Sequence, residues 1–195
     1  MNKISSIAAA ALLALAGQAQ AAVYTGSSAN TGAASVDSSF ASASQLFFDL
    51  SFAQQGQVTL NFLVEAQDLG QALSFNALVS NLSGLGFEAA SVQLHGVRFA
   101  APAGTVSTDG FQPVLAAGHS ADSLWAQFGG PGVTTQFYIG NPLLEAGAQD
   151  WSLDLSGRQV GDVFSITVAV PEPQTYALLL SGLAVLGWAA RRRSA

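Results

Sequence analysis

Short runs in which apolar and polar residues alternate dominate the chain between residues 45 and 170. In Gln57–Val64 every second residue is apolar, so an extended strand could bury one face and expose the other. Val163–Val170 repeats the pattern. No stretch of this region shows a sustained helical period with capping residues. The pattern therefore predicts an all-β domain.

The spacing of the candidate strands favours two packed sheets. Strands recur at intervals of roughly 8–16 residues between turn-forming residues, which is typical of all-β folds. We therefore predict an antiparallel β-sandwich, jelly-roll-like, with a compact barrel as the alternative. The other candidate strands are Gln45–Phe52, Leu73–Val79, Ser91–Phe99, Phe111–Ala116, Ser123–Phe128, Thr134–Ile139 and Trp151–Leu155.

Two turn features refine the sandwich. The four residues Ala53–Gly56 separate the candidate strands Gln45–Phe52 and Gln57–Val64, which predicts a β-hairpin. Within Ser91–Phe99 the alternation changes phase at Gly96. A glycine at such a phase change predicts a β-bulge.

The N-terminus has the three parts of a secretory signal peptide. Lys3 supplies a positive charge, Ile7–Ala16 is a short apolar run, and Ala19 and Ala21 are the small residues that precede a cleavage site. The apolar run is too short to span a bilayer stably. We expect export through the general secretion machinery and cleavage after Ala21, which makes Ala22 the first residue of the mature chain.

The C-terminus has three consecutive parts: a Pro-Glu-Pro element, an uncharged apolar run and a basic stop. The run Tyr176–Ala190, extended by two uncharged residues at its start, would form a transmembrane helix of about 25 Å. Positive residues stay on the cytoplasmic side of a membrane, so the basic stop places the body of the chain outside the cytoplasm. The flanking residues are Pro171, Glu172 and Pro173 before the run, and Arg191, Arg192 and Arg193 after it.

This order of parts resembles the PEP-CTERM sorting signal of Gram-negative bacteria. The resemblance implies an inner-membrane intermediate with its body in the periplasm, which the membrane protease-transpeptidase exosortase then recognises and processes. It further implies a final place at the cell surface or in the extracellular matrix, with a structural or adhesive role in exopolysaccharide or biofilm.

The two ends divide the chain into four parts. Residues 1–21 are the expected signal peptide. Residues 22–44 are small and polar, which predicts a flexible polar segment that leads into the domain, with a short strand at Val23–Thr25 as an open alternative. Residues 45–170 form the expected sandwich, and residues 171–195 form the expected sorting signal, with its transmembrane helix at 176–190.

The body of the chain is acidic and contains no cysteine. Between Ala22 and Val170 there are eleven acidic residues, whereas Arg98 and Arg158 are the only basic ones. Two arginines cannot form the basic patch that nucleic acids or anionic bilayers require. Without cysteine, neither a disulfide nor a thiolate metal site can form. These features exclude nucleic acid as a partner.

No candidate for catalysis or metal binding matches the pattern that its chemistry requires. Ser120 lies between His119 and Asp122, but the glycine that a nucleophile elbow needs two residues after the serine is absent. The second histidine, His95, has no metal-binding spacing to the first. The acidic stretch 145–154 lacks a calcium-loop pattern. We therefore predict no catalytic, cofactor or metal site, with a small secreted hydrolase as a distant third possibility.

Three aromatic residues are candidates for sugar binding. Trp125, Tyr138 and Trp151 lie in or beside loop-rich segments that also carry amide side chains. Aromatic faces stack on sugars, and amides bond sugar hydroxyls, so a carbohydrate-binding module without catalysis is the alternative function. In the other interpretation these aromatics fill the core. Binding would require a row of exposed aromatics, whereas an enzyme would require acids or histidines that converge in a cleft.

Overall fold

The computed structural model describes residues 22–171, apart from 29, 43, 85, 110–112 and 130–133. Within these residues the chain forms thirteen strands and one short 3₁₀ helix, and the predicted all-β class is confirmed. None of the helices in the described part has the length and hydropathy of a membrane span. The expected signal peptide 1–21 and the expected helix 176–190 lie outside the described residues.

Sheet 1 contains six antiparallel strands in the order β1, β4, β13, β6, β10, β9. The core strand β13 pairs with β4 along its whole length and with β6 on its other side. The strands are β1 (Val23–Ser28), β4 (Gly56–Leu63), β6 (Ala89–His95), β9 (Val114–His119), β10 (Ser123–Phe128) and β13 (Val163–Val170).

Sheet 2 is mixed. Its main order is β2, β3, β5, β11, β8, while β12 pairs with β5 beside β11 and also with β7. The strands are β2 (Ala34–Asp37), β3 (Gln45–Phe52), β5 (Leu73–Asn81), β7 (Arg98–Ala100), β8 (Val106–Thr108), β11 (Gln136–Ile139) and β12 (Trp151–Asp154). Strands β3 and β5 run parallel. This pair corrects the purely antiparallel, jelly-roll-like prediction, because jelly rolls pair their strands antiparallel.

The core lies between the two sheets, and alternation along the strands fills it. In β3 every second residue from Leu46 to Phe52 is buried, and β4 and β13 show the same pattern. Phenylalanines dominate the centre: the ring of Phe62 lies 5.7 Å from that of Phe48 and stacks at 4.8 Å on that of Phe164. Each such side chain contributes roughly 2–3 kcal/mol through burial, so a chain without cysteine can rely on packing.

The predicted hairpin between the first two strands is wrong. Strand β3 belongs to sheet 2 and β4 to sheet 1, so the turn between them is an arch that crosses the core. The chain then returns through the 3₁₀ helix Ala66–Asp68 to β5, which explains why β5 runs parallel to β3. The sequence pattern fits a hairpin within one sheet and an arch between two sheets equally well, since either connection lets both strands bury their apolar faces.

The predicted lead-in segment, 22–44, is also corrected. It contains β1 and β2, which form the outer strands of sheet 1 and sheet 2 respectively. Tyr24 and Val36 pack against the core from these strands. The small polar residues around them suggested a flexible segment, but the open edges of β4 and β3 supply backbone partners that stabilise extended structure.

Gly96 does not form the predicted bulge. Strand β6 ends at His95 in sheet 1, and β7 begins at Arg98 in sheet 2. Gly96 has a φ of +86° and lies at the corner between the two sheets, a backbone conformation that favours glycine. The phase change in the sequence therefore marks a change of sheet.

Candidate functional site

The strands of sheet 1 contain no Asp, Glu, Lys or Arg in the described structure. Their outward residues are mainly Thr, Ser, Asn, Gln and Ala. One row runs from Thr59 through Thr167 and Gln93 to Ser123 in neighbouring strands. The two threonine hydroxyls are 2.9 Å apart. Apart from the exposed imidazole of His95 at the end of β6, the outer face of sheet 1 is therefore an uncharged surface of hydroxyl and amide groups.

Trp125 lies on this uncharged face, on β10. It is 45% exposed and lies opposite Ser91 of β6 and Gly118 of β9. A Cβ atom on Gly118 would come within 2.8 Å of the indole atom Cζ2 of Trp125. The indole therefore lies over the backbone of Gly118, where only glycine leaves room for it. Sequence reasoning selected Trp125 but missed Gly118, whose only sequence signal was its place directly before the mainly polar residues His119–Asp122.

Tyr138 and Trp151 do not join Trp125. Tyr138 lies on the outer face of sheet 2 and is 6% exposed, and Trp151 lies in the core and is 2% exposed. The indole Nε1 of Trp151 donates to the carbonyl of Thr105 at 3.0 Å, and its ring packs against Phe99. The three aromatics therefore form no common platform, because strand register assigns them to different surfaces.

The acidic stretch 145–154 serves the structure of sheet 2. The carboxylate of Asp150 accepts hydrogen bonds from Gln45 at 3.1 Å, Ser74 at 2.7 Å, Asn76 at 2.9 Å and the backbone N–H of Asn141 at 2.8 Å. These bonds tie the loop before β12 to β3 and β5. In the part of the chain that the structure describes, no group of three His, Asp or Glu residues is placed to hold a metal ion.

Asp154 does not join the Asp150 network, and its hydrogen-bond partner is a residue close in sequence. Its carboxylate accepts bonds from the backbone and hydroxyl of Ser156. These bonds hold the pKa of Asp154 below its usual value, and Arg98 adds a smaller effect in the same direction. The two carboxylates therefore do not converge on one ligand.

A surface cleft with a volume of about 410 Å³ lies beside the corner at Gly96. Arg98 and Arg158 both line it, together with Asp122 and Asp154. The four charges cancel, so the cleft offers no net attraction for either an anion or a cation.

The segment around Ser120 forms the turn between β9 and β10. The Ser120 hydroxyl donates to Asp122 Oδ1 at 2.7 Å and lies 2.7 Å from the hydroxyl of Ser123. The ring of His119 instead packs edge-on against Trp151, with centroids 5.3 Å apart. The hydroxyl therefore serves the turn and has no histidine base, in contrast to a nucleophile elbow.

The C-terminal candidate residues begin where sheet 1 ends. Val170 is the last, fully buried residue of β13, and the exposed Pro171 follows it. A family model described as PEP-CTERM protein-sorting motif matches residues 169–193. The chain carries a PEP-CTERM protein-sorting motif. No curated protein and no solved structure shows significant similarity to the chain.

The PEP-CTERM motif starts within β13, since its first two matched residues are the last two of that strand. Motifs of this type belong to exported proteins that an exosortase processes, with a membrane-anchored intermediate. Its remaining named residues, Glu172, Pro173, Arg191, Arg192 and Arg193, lie outside the described residues, as do Ala19 and Ala21 of the expected cleavage site.

The described chain begins and ends at opposite ends of sheet 1. Val23, which follows Ala22, lies opposite Leu63, and Leu63 lies opposite Val163, the first residue of β13. An eight-residue strand spans about 24 Å, which separates Ala22 from the start of the PEP-CTERM motif.

Proposed function

We propose that this protein is an exosortase-sorted component of the cell surface or extracellular matrix, with a non-catalytic structural or adhesive role in exopolysaccharide or biofilm. The observation that carries the proposal is the PEP-CTERM motif at residues 169–193, directly after a core strand of the domain. In this proposal the signal peptide exports the chain in a Gram-negative cell. The intermediate is held in the inner membrane with its body in the periplasm before it is processed.

Two features of the domain support a passive role. The uncharged outer face of sheet 1 can exchange hydrogen bonds with sugar hydroxyls without removing an ionic group from water. The acidic residues elsewhere keep the domain soluble. The bonding of Ser120 within its own turn also favours a non-catalytic role over a hydrolase.

The sorting proposal is tested by replacing Pro171, Glu172 and Pro173 with alanine in the native host. We expect the variant to remain in the inner membrane with a mass that shows an intact C-terminus. The wild type should behave in the same way in a strain that lacks exosortase. Cell fractionation and intact-mass spectrometry measure both. Release of the variant at the wild-type rate would contradict the proposal, and Gln174→Ala with Thr175→Ala provides a neighbouring control that should be released normally.

A second candidate function is carbohydrate binding without catalysis, and the exposure of Trp125 favours it. Its ring stands on an uncharged face with Ser123 and Gln127 two residues away on the same strand. A ring face presented in this way can stack on a neutral sugar. The candidate site therefore contains Trp125 alone of the three predicted aromatics.

Trp125→Ala should weaken retention on an insoluble neutral polysaccharide, such as cellulose, chitin or a β-glucan, by about tenfold. Leu115→Ala is a matched control, because Leu115 is an apolar residue of neighbouring β9 that is 64% exposed. Equal retention of wild type and Trp125→Ala on every polysaccharide would remove this function and leave the sorting proposal untouched.

A further inference from the structure

Asp68 is a buried carboxylate with an incomplete set of partners. It ends the 3₁₀ helix between β4 and β5 and is 2% exposed. Its Oδ2 atom accepts the backbone N–H of Glu65 at 2.7 Å. Its Oδ1 atom is also buried and has no hydrogen-bond partner in the described structure. Such an oxygen is unfavourable unless a donor or a positive charge reaches it.

The backbone nitrogen of Ala22 reaches this carboxylate. Val23 of β1 pairs with Leu63 of β4, which places Ala22 beside Val64 and next to Glu65, whose own N–H bonds Asp68. The N–H of Ala22 also acts on the carboxylate, since it lowers the pKa of Asp68. Ala22 is itself 1% exposed and immediately precedes β1, so its position is set by the core. It is also the first residue after the expected signal-peptide cleavage site. A buried acid therefore lies beside the nitrogen that export would release.

We propose that Asp68 is the receptor for the mature N-terminus, where the α-ammonium group of Ala22 forms a buried ion pair with the Asp68 carboxylate. This inference rests on the proposed export. Hydrolysis of the bond between Ala21 and Ala22 consumes one water, leaves a carboxylate on Ala21, and leaves an amine on Ala22 that takes up a proton. The single N–H donor becomes three donors with a positive charge, which can satisfy both oxygens of Asp68.

The charge environment of Asp68 favours such a cation. With Ala22 in a peptide bond, burial raises the pKa of Asp68, and the negative charge of Glu65 raises it further against the hydrogen bonds from Glu65 and Ala22. Other ionisable groups nearby have their own contacts: Asp162 accepts the N–H of Gln159, and the ring of Tyr24 packs on Phe48. A cation beside Asp68 would reverse the direction of its shift.

The ion pair sets a pH window for stability. Pairing lowers the pKa of Asp68, so the stabilisation is lost as the pH falls through that lowered pKa. Pairing raises the pKa of the amine above its usual value of about 7.7–8.0, so the stabilisation is lost as the pH rises through the raised pKa. The stabilisation is therefore complete around neutral pH.

The sequence makes the amine directly measurable. Lys3 is the only lysine, and it would leave with the signal peptide. The α-amino group of Ala22 would then be the only aliphatic amine in the mature chain. Ala22 also lines a surface cavity of about 260 Å³. The rate of reaction with an amine-reactive ester therefore measures the accessibility of the Ala22 α-amino nitrogen alone.

The test expresses the full-length chain in its host and purifies the mature protein after export and processing, with intact mass establishing the first residue. At pH 8 we expect the native chain to react with the ester at least tenfold more slowly than the urea-unfolded chain. Insertion of one serine between Ala21 and Ala22 moves the ammonium by up to one residue length. We expect this insertion to lower the melting temperature of the domain by about 5–10 °C at pH 7.

Asp68→Asn should cost a similar amount, and the two changes together should cost no more than either alone. The difference between wild type and insertion should disappear above the raised pKa of the amine. Glu65→Gln is the matched control, because it removes a neighbouring negative charge and should leave the penalty of the insertion intact. If Asp68→Asn does not fold, the insertion and the labelling rate still decide the matter.

Additive losses, an insertion without effect, or full amine reactivity in the native chain would overturn the ion pair. A mature chain that starts elsewhere than at Ala22 would overturn it too, while export stands. A purified chain that retains Lys3 would overturn export and the ion pair together. The same intact-mass measurement also shows whether the C-terminus has been processed, independently of the N-terminal result.

Discussion

The two outer faces of the sandwich differ in charge. The six strands of sheet 1 carry no Asp, Glu, Lys or Arg, whereas the strands of sheet 2 carry Asp37, Asp49, Arg98 and Asp154. The exposed Trp125 belongs to sheet 1, and the buried Tyr138 belongs to sheet 2. Both sheets follow the same alternation, so the difference lies only in what the outward positions hold.

The contrast indicates which face is available to a partner. On sheet 2, the chain's own groups engage the outer face. Asp150 binds β3 and β5, and burial raises the pKa of Tyr138, with further contributions from the negative charges of Asp109 and Glu145. On sheet 1, Trp125 and its polar neighbours remain exposed. The comparison therefore assigns stability to the face of sheet 2 and makes the face of sheet 1 the one that the proposed binding function would use.

The largest expected effect of breaking this contrast is at Asp150. Asp150→Ala removes a carboxylate that accepts four hydrogen bonds and should lower the free energy of unfolding by about 3 kcal/mol. Chemical denaturation measures the loss. Asp154→Asn, at an exposed acid of the same stretch, should change stability by less than about 1 kcal/mol. A similar small loss for both would show that the Asp150 network does not support sheet 2.

Gly118→Val tests the outer face of sheet 1 while leaving Trp125 itself unchanged. The new side chain would overlap the indole of Trp125 and displace it, so retention on a neutral polysaccharide that the wild type binds should fall about threefold. Stability should change by less than about 1 kcal/mol, because β9 is an edge strand. Unchanged retention would mean that the position of the ring over Gly118 is unimportant.

Asp49→Asn sharpens the comparison through pH. Burial raises the pKa of Asp49, and repulsion from Asp37 raises it further. The folded state then binds a proton more tightly than the unfolded state, so stability is highest below the unfolded pKa of about 3.9 and falls as the pH rises through the raised pKa. The variant should be about 0.5 kcal/mol more stable than wild type at pH 7 and equal to it at pH 3. A constant difference between the two pH values would contradict this assignment.

Thr167→Val on sheet 1 should have the smallest effect. It removes the contact with the hydroxyl of Thr59 but keeps a β-branched side chain, so stability should change by less than about 0.5 kcal/mol. These strands carry no carboxylate, and the one histidine on this face, His95, lies opposite Ser165 rather than Thr167, so the change should be nearly the same at pH 3 and pH 7. A pH-dependent change would show that charge reaches this face after all.

The alternation of apolar and polar residues predicted the bounds of some strands but not the sheet that each strand joins. The strands Ser123–Phe128 and Val163–Val170 have the predicted bounds, because one buried face imposes a clear period of two. The arch at Ala53–Gln55 and the corner at Gly96 were misassigned, because the period is the same whichever sheet a strand joins. The residues that surround Trp151 in the sequence indicate a loop, whereas the pairing of β12 with β5 places Trp151 in the core.

The sequence by itself determined that the body is built of strands and that residues 169–193 form a PEP-CTERM motif, since both are properties of contiguous residues. Only the tertiary structure decided which strands share a sheet, which aromatic remains exposed, and that Ala22 meets Asp68. These outcomes depend on contacts between distant segments, and a one-sided apolar strand stabilises several such arrangements equally well until the whole core is packed.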